Sequence, residues 1–407
     1  MLGHLWRVPD LRGRLLVTLA ALVLFRLGQN LPLPGIDAAA LDRAADLAGE
    51  PGPWRGLAEL LTGGGVPRLS VFAFGVLPAL AATLLMTVAG LLVPRLMALA
   101  QAGPEGHARL AHGGRCLAVL LSAGAGAALT YRMLPGAGLL HRVAVVAALA
   151  AGTALVLLLA GWIRDRGFGE GLSVLLLAQL AAVFPGQVRD AAREAGGGSA
   201  YAVVPLVVVA ALVAMTVAVL VVRQAVRRVP VQAAPRLVGR APLGAGQSDH
   251  LPIRGGQGGY GMMVPASLLL APAAPGSGWY AAACAGYVLL VVGHALLRAG
   301  TDLDAVEAAD ALKRSGRFVP GIRPGAQTAE YLMYLQKRIG FAAALLMGVV
   351  ALIPVGVVWL LGGQGAGAPF GVTALLVVAS VAAGTALPAV RQMDTRLAQH
   401  MYAPLFR

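Results

Sequence analysis

The sequence predicts an all-α polytopic membrane protein of ten transmembrane helices, and three observations predict it. Of its 407 residues 58% are hydrophobic and only 12% charged, with a mean hydropathy of +0.76, a balance that a water-soluble surface does not carry. Apolar runs long enough to cross the hydrocarbon core as helices recur along the whole chain. The basic residues fall mainly in alternate connections, as the positive-inside rule requires.

The ten runs lie at 15–31, 75–93, 116–134, 143–163, 172–186, 201–222, 259–275, 279–298, 339–361 and 370–390. The first has basic flanks at Arg12 and Arg14 but no small-residue cleavage site before Gly28-Gln-Asn, so it reads as a helix and not as a removable signal. The fifth and seventh are short or broken by Gly and Pro. Such segments are tolerated only where their backbone is buried in protein or faces water, which makes them the first hint of a path. Of the 32 Lys and Arg, 24 fall in the termini and even-numbered connections and 7 on the opposite side, with Arg26 inside the first run. Both termini are therefore expected in the cytoplasm. Much of the formal +14 is then topology, so nucleic-acid binding does not follow from it. The largest cytoplasmic connections, 223–258 and 298–338, are long and Arg-rich, which suits docking of a large partner.

The residues carry little chemistry. Cys116 and Cys284 lie in separate apolar stretches without ligand spacing, and neither a metalloprotease, a nucleophile-elbow nor a phosphate-loop motif occurs. The acidic run from Thr301 to Asp310 has the composition of a magnesium-chelating cluster, with Asp302, Asp304 and Asp310, and equally that of a soluble amphipathic helix. Few ionisable groups lie within the apolar runs, which counts against an ion-coupled transporter. Arg26, near the outer end of the first run, is placed to snorkel to the interface.

Six strings, in order, resemble the SecY family, the channel subunit of the protein-conducting translocon. They are Arg26-Leu-Gly-Gln-Asn-Leu-Pro-Leu-Pro-Gly-Ile-Asp37, Gly63-Gly-Gly-Val-Pro-Arg-Leu-Ser-Val-Phe72 and Arg166-Gly-Phe-Gly-Glu-Gly-Leu-Ser173 in the first part of the chain. Arg228-Val-Pro-Val-Gln232, Gly246-Gln-Ser-Asp-His-Leu-Pro252 and Lys313-Arg-Ser-Gly-Arg-Phe-Val-Pro-Gly-Ile-Arg-Pro-Gly325 with Thr328-Ala-Glu-Tyr331 follow. The resemblance implies two pseudo-symmetric five-helix halves, 1–186 and 201–407, joined outside the membrane by 187–200, whose Gly196-Gly-Gly-Ser suits a hinge. It implies an hourglass pore closed by a plug at 57–72, with Leu57, Leu60 and Leu61 packing at rest and Gly63, Gly64 and Gly65 allowing it to swing. The pore ring would comprise Val76, Leu80, Leu84, Leu172, Leu176, Val264 and Val377, all aliphatic, and Thr87 would stand at the lateral gate.

As partners the resemblance implies small SecE-like and SecG-like membrane subunits, the SecA motor or a ribosome, preprotein cargo and lipid, with no cofactor and no metal. Arg323, at a loop tip framed by Pro and Gly, and Arg227, Arg228, Arg236 and Arg240 would contact the motor or ribosome. The implied function is passage of unfolded preproteins across a bacterial cytoplasmic membrane, without enzymatic activity. Three departures stand out: Glu170 replaces the usual Asn, the seventh span is one residue short, and only about Pro275-Gly-Ser-Gly278 joins it to the eighth. They leave open a specialised paralogue with narrow cargo. From other classes, a lipid-modifying enzyme or a small-solute transporter also stays open.

Overall fold

The computed structural model describes residues 9–33, 36, 62–66, 68–101, 104–136, 138–194, parts of 206–222, 226–233, 236–238, 241–243, 248–254, 266, 278–299 and 305–360. It is mostly helical, with helices where the apolar runs lie. α1 (Pro9–Asn30) opens on a proline, whose fixed φ suits a first helical turn, and ends two residues before another. α2 (Leu77–Leu92) is separated from α3 (Pro94–Gln101) because Pro94 keeps Val93 extended, at φ −108° and ψ 105°. α4 (Pro104–Met133), α5 (Leu139–Arg166) and α6 (Gly171–Glu194) follow, then α7 (Gly278–Ala299), the short α8 (Ala305–Arg314) and α9 (Ala326–Leu360).

Among the described residues four stretches are long and apolar enough to cross a membrane: Ala108–Met133, Leu139–Arg166, Gly278–Leu296 and Ala326–Ile353. Leu77–Gly90 and Gly171–Val183 form shorter apolar helices. Leu120, Leu158 and Leu289 are 67%, 68% and 68% exposed. Outward leucines at that density belong against lipid chains. The runs at 259–275 and 370–390 lie outside the described residues, apart from a buried helical Ala266, and 201–222 is helical where described.

Two boundaries differ from the sequence expectation. α6 continues through Pro185 to Glu194, so the connection placed at 187–200 is helical over its first eight positions. α9 starts at Ala326 instead of 339, carrying exposed Glu330, Lys337 and Arg338 on a helical extension of the apolar segment. The chain is mostly helical, as expected, and among the described residues five short strands accompany the helices in the basic connections: β1 (Val226–Ala233), β2 (Arg236–Val238), β3 (Ala241–Leu243), β4 (Ser248–Arg254) and β5 (Arg317–Phe318).

The chain divides into two compact units, Met1–Thr216 with Met263–Tyr287 and Ile353–Arg407, and Val217–Met262 with Val288–Leu352. In the first, α5 buries Val145, Leu149, Gly152, Val156, Ala160 and Ile163, a stripe at helical spacing. Thr153 Oγ1 donates to Ser122 Oγ of α4 at 2.7 Å, so the polar pair crossing this contact is satisfied internally. Thr18 Oγ1 accepts from the backbone N–H of Phe168 at 3.1 Å and donates to the Arg14 carbonyl at 2.9 Å, tying α1 to the α5–α6 turn.

In the second unit β1 lies between β4 and β5, antiparallel to both, from Val226↔Arg254 to Gln232↔Ser248 and at Gln232↔Phe318. Val229 and Val231 point inward and Arg228, Pro230 and Gln232 outward, the alternation a strand imposes. A core of Val229, Ile253, Ala305, Val319, Leu332 and Leu335 joins the two basic connections into one body.

Candidate functional site

The candidate site lies where the segment after residue 61 meets α1 and α6. Gly63 to Val66 and Arg68 to Val76 run through tight turns, with Gly63 at φ +66° and Gly64 at φ +75°, a region that favours glycine. From Leu69 onward the segment is moored to α1 by its backbone. Leu33 N–H donates to the Leu69 carbonyl and Val71 N–H to the Leu31 carbonyl, both at 3.0 Å, and Phe72 N–H donates to the Gly28 carbonyl at 3.1 Å. The Phe72 ring stacks on Phe25 with centroids 6.1 Å apart, and Leu69, Ala73 and Phe74 enter a core with Leu33, Met133 and Leu149. Arg68 donates to Asn30 Oδ1.

Three of the expected plug residues, Leu57, Leu60 and Leu61, lie outside the described residues. Gly63, Gly64 and Gly65 form the turn above α1. Sequence reasoning missed what lies beneath it: Gln29 of α1 donates from Nε2 to Gln179 Oε1 of α6 at 3.2 Å and to the Thr62 carbonyl at 3.5 Å, all three residues being buried. Arg26 is half-buried, its Nη1 donating to Gln29 Oε1 at 2.7 Å. The available signal was a lone amide among the leucines and alanines of 172–186, since a buried amide in a span must find a partner.

Of the expected ring, Val76, Leu80 and Leu84 share one face of the α2 segment and Leu172 and Leu176 one face of α6, by their four-residue spacing. Val76 and Leu176 are buried, while Leu80, Leu84 and Leu172 are half-buried. Val264 and Val377 lie outside the described residues. Thr87 is half-buried, one turn beyond Leu84. Glu170 is exposed at the head of α6 and accepts from Ser173 Oγ at 3.3 Å, where a carboxylate suits the helix N-terminus.

Arg323 is exposed between Gly321 at φ +82° and Gly325 at φ +108°, and its carbonyl accepts from Thr328 Oγ1 at 2.9 Å. The loop backbone is thus held at an exposed arginine. Arg227 and Arg228 are exposed on β1, Arg236 lies in β2, and Arg240 is outside the described residues. On α8, Ala305 and Ala309 are buried and Glu307 and Asp310 exposed, the pattern of an amphipathic helix. Asp302 and Asp304 lie outside the described residues.

Comparison with known proteins agrees with this architecture. The SecY family model matches residues 70–386. Protein translocase subunit SecY of Streptomyces scabiei is 31% identical over 439 aligned residues, covering 99% of this chain and 98% of the relative. That of Mycobacterium tuberculosis is 31% identical, covering 97% of each. Among solved structures, a SecY channel described for its plug domain superposes with a TM-score of 0.58 at 14% identity, over 94% of this chain and 92% of the other. Canine Sec61 in a ribosome-channel complex gives 0.54 at 12%, over 94% and 92%. These likenesses run nearly end to end and share the helical architecture described above, and the chain belongs to the SecY family.

Proposed function

We propose that this chain is the channel subunit of a protein translocase, passing unfolded preproteins through the membrane and releasing apolar segments sideways into lipid. The 31% identity to translocase SecY subunits over nearly the whole chain carries the reading. The physical means would be the aliphatic ring, which dewets when empty and deforms around any side chain that passes. Nothing in that task needs a catalytic group, and the energy would come from SecA or a translating ribosome docked on the basic unit. Its place would be a bacterial cytoplasmic membrane, with SecE-like and SecG-like subunits beside two halves, 1–186 and 201–407. Within the plug the moving part would end near Gly65, because Leu69 to Phe74 are tied to α1 and its core. Reconstitution with a SecE-like subunit, SecA, ATP and a preprotein tests the function. Cargo protected from protease inside the vesicles is expected, and its absence with an active motor would overturn the proposal.

Two further outcomes follow. In a background freed of Cys116 and Cys284, Arg240→Cys and Ser315→Cys should resist impermeant thiol reagents in intact cells, whereas Ala48→Cys and Ala195→Cys should be labelled. The reverse pattern would overturn the topology drawn from the 24-to-7 distribution of bases. Arg323→Glu should lower SecA-driven export by roughly tenfold, the scale of one charge-assisted contact, while membrane level and SecE association stay unchanged. Loss of the protein from the membrane instead would make Arg323 structural, although its exposed guanidinium argues otherwise.

A further inference from the structure

We infer that Gln29 and Gln179 are positioning residues for the plug, a buried amide seat on which the end of its moving part rests in the closed channel. This rests on the channel reading and names what sets its resting state. Gln29 is 1% exposed and Gln179 0%. Amides this deep in an apolar bundle are stable only if paired, and these two are paired with each other at 3.2 Å.

The second donor of Gln29 reaches the plug segment itself, at the Thr62 carbonyl 3.5 Å away, and Thr62 is 2% exposed. Arg26 fixes the opposite end of the same amide, donating to its oxygen at 2.7 Å, so Gln29 is held with its nitrogen toward both partners. The chain then comes down directly on the pair. A Cβ at Gly63 would lie 2.5 Å from Gln29 Nε2 and 2.8 Å from Gln179 Cγ, so only glycine lets the backbone sit this close.

Arg26, Gln29, Gln179, Thr62 and Gly63 therefore join α1, α6 and the plug. The stretch from Leu69 stays moored by its own backbone bonds, so movement of the preceding part must start by lifting Thr62 and Gly63 off the seat. Lifting strips a partner from a buried amide, and a buried donor left unpaired is costly, which biases the resting equilibrium toward the closed state. The pair acts through the plug's position and touches no cargo in this role.

Single-channel recording of the full chain with its SecE-like subunit in planar bilayers tests the seat. Gln29→Leu removes the bond to the Thr62 carbonyl and should raise the resting open probability roughly five- to tenfold, the equilibrium weight of one buried hydrogen bond. Gln179→Leu leaves that bond in place but frees the Gln29 amide from its other partner, and should raise it by a smaller factor. Thr18→Val removes a buried hydroxyl of the same helix about 16 Å away along its axis. It should lower thermal stability and leave open probability unchanged. Deleting 57–66 sets the level expected of a channel with no plug. Openings in the deletion but in neither glutamine variant would overturn the seat and leave the channel reading intact. An equal rise with Thr18→Val would overturn it as general loosening, and silence from every variant, the deletion included, would overturn both.

Discussion

Replacing Leu80, Leu176 and Val264 together by serine is expected to turn a sealed resting channel into one that conducts ions, with bilayer conductance rising by an order of magnitude or more. Closure of a narrow aliphatic constriction comes from the unfavourable hydration of its wall, so each hydroxyl gives water a partner where there was none. If the three line one constriction, their hydroxyls would let a continuous water column persist. The substitutions also remove packing, because Leu176 is only 3% exposed, and losing a buried leucine side chain costs about 2–5 kcal/mol. A conductance change must therefore be separated from a loosened bundle. Leu175 supplies the comparison: it is 0% exposed, and one residue along a helix points about 100° away from Leu176. Leu175→Ser should cost comparable stability without conductance. Conductance from Leu175→Ser and none from the triple variant would place the pore on the other side of α6.

How much of this was legible beforehand depended on whether the controlling interaction was local. Helices of the membrane type were readable because their length and apolarity follow from the bilayer alone, as at Leu139–Arg166. The glycine-framed tip at Arg323 was readable because Gly321 and Gly325 take positive φ, which turn chemistry anticipates. The strand at 226–233 was missed although Val229 and Val231 alternate with polar neighbours, since Pro230 argues against a strand with partners on both sides. The register resolves this: β5 reaches only Gln232 and Ala233, so at Pro230 β1 is an edge and the missing N–H breaks no ladder. α6 runs through Pro185 to Glu194, beyond the point where the helix-stop rule expects an end. Least legible was the Gln29–Gln179 pair, whose members are 150 residues apart. Each is unremarkable alone, and only the fold that joins α1 to α6 gives either amide a reason to be buried.

The string Gly169-Glu-Gly-Leu-Ser173 has a steric reading as well, and it carries an opposite-sign prediction for two glycines on facing elements. Gly171 opens α6 against α5. A Cβ there would overlap the Ala160 carbonyl oxygen and lie 2.5 Å from its carbonyl carbon and 2.7 Å from its Cα. All three are backbone atoms, which have no rotamer to yield, so α6 itself must back away from α5 and carry Leu172 and Leu176 with it. Gly171→Ala should lose about 3 kcal/mol, the upper end of the range for overpacking, seen as a lower thermal midpoint in detergent and reduced accumulation in the membrane. Gly161 is the neighbour of Ala160 within α5 and has nothing within 4 Å of the added Cβ. Gly161→Ala should therefore be neutral or stabilising by about 0.5–1 kcal/mol, as for glycine to alanine inside a helix. The two substitutions add the same methyl group to neighbouring helices, one into backbone and one into open space, whereas composition and helix propensity alone give them the same sign. Equal effects at 161 and 171 would mean that α6 does not approach the Ala160 backbone, and would remove the stop that sets the depth of Leu172 and Leu176.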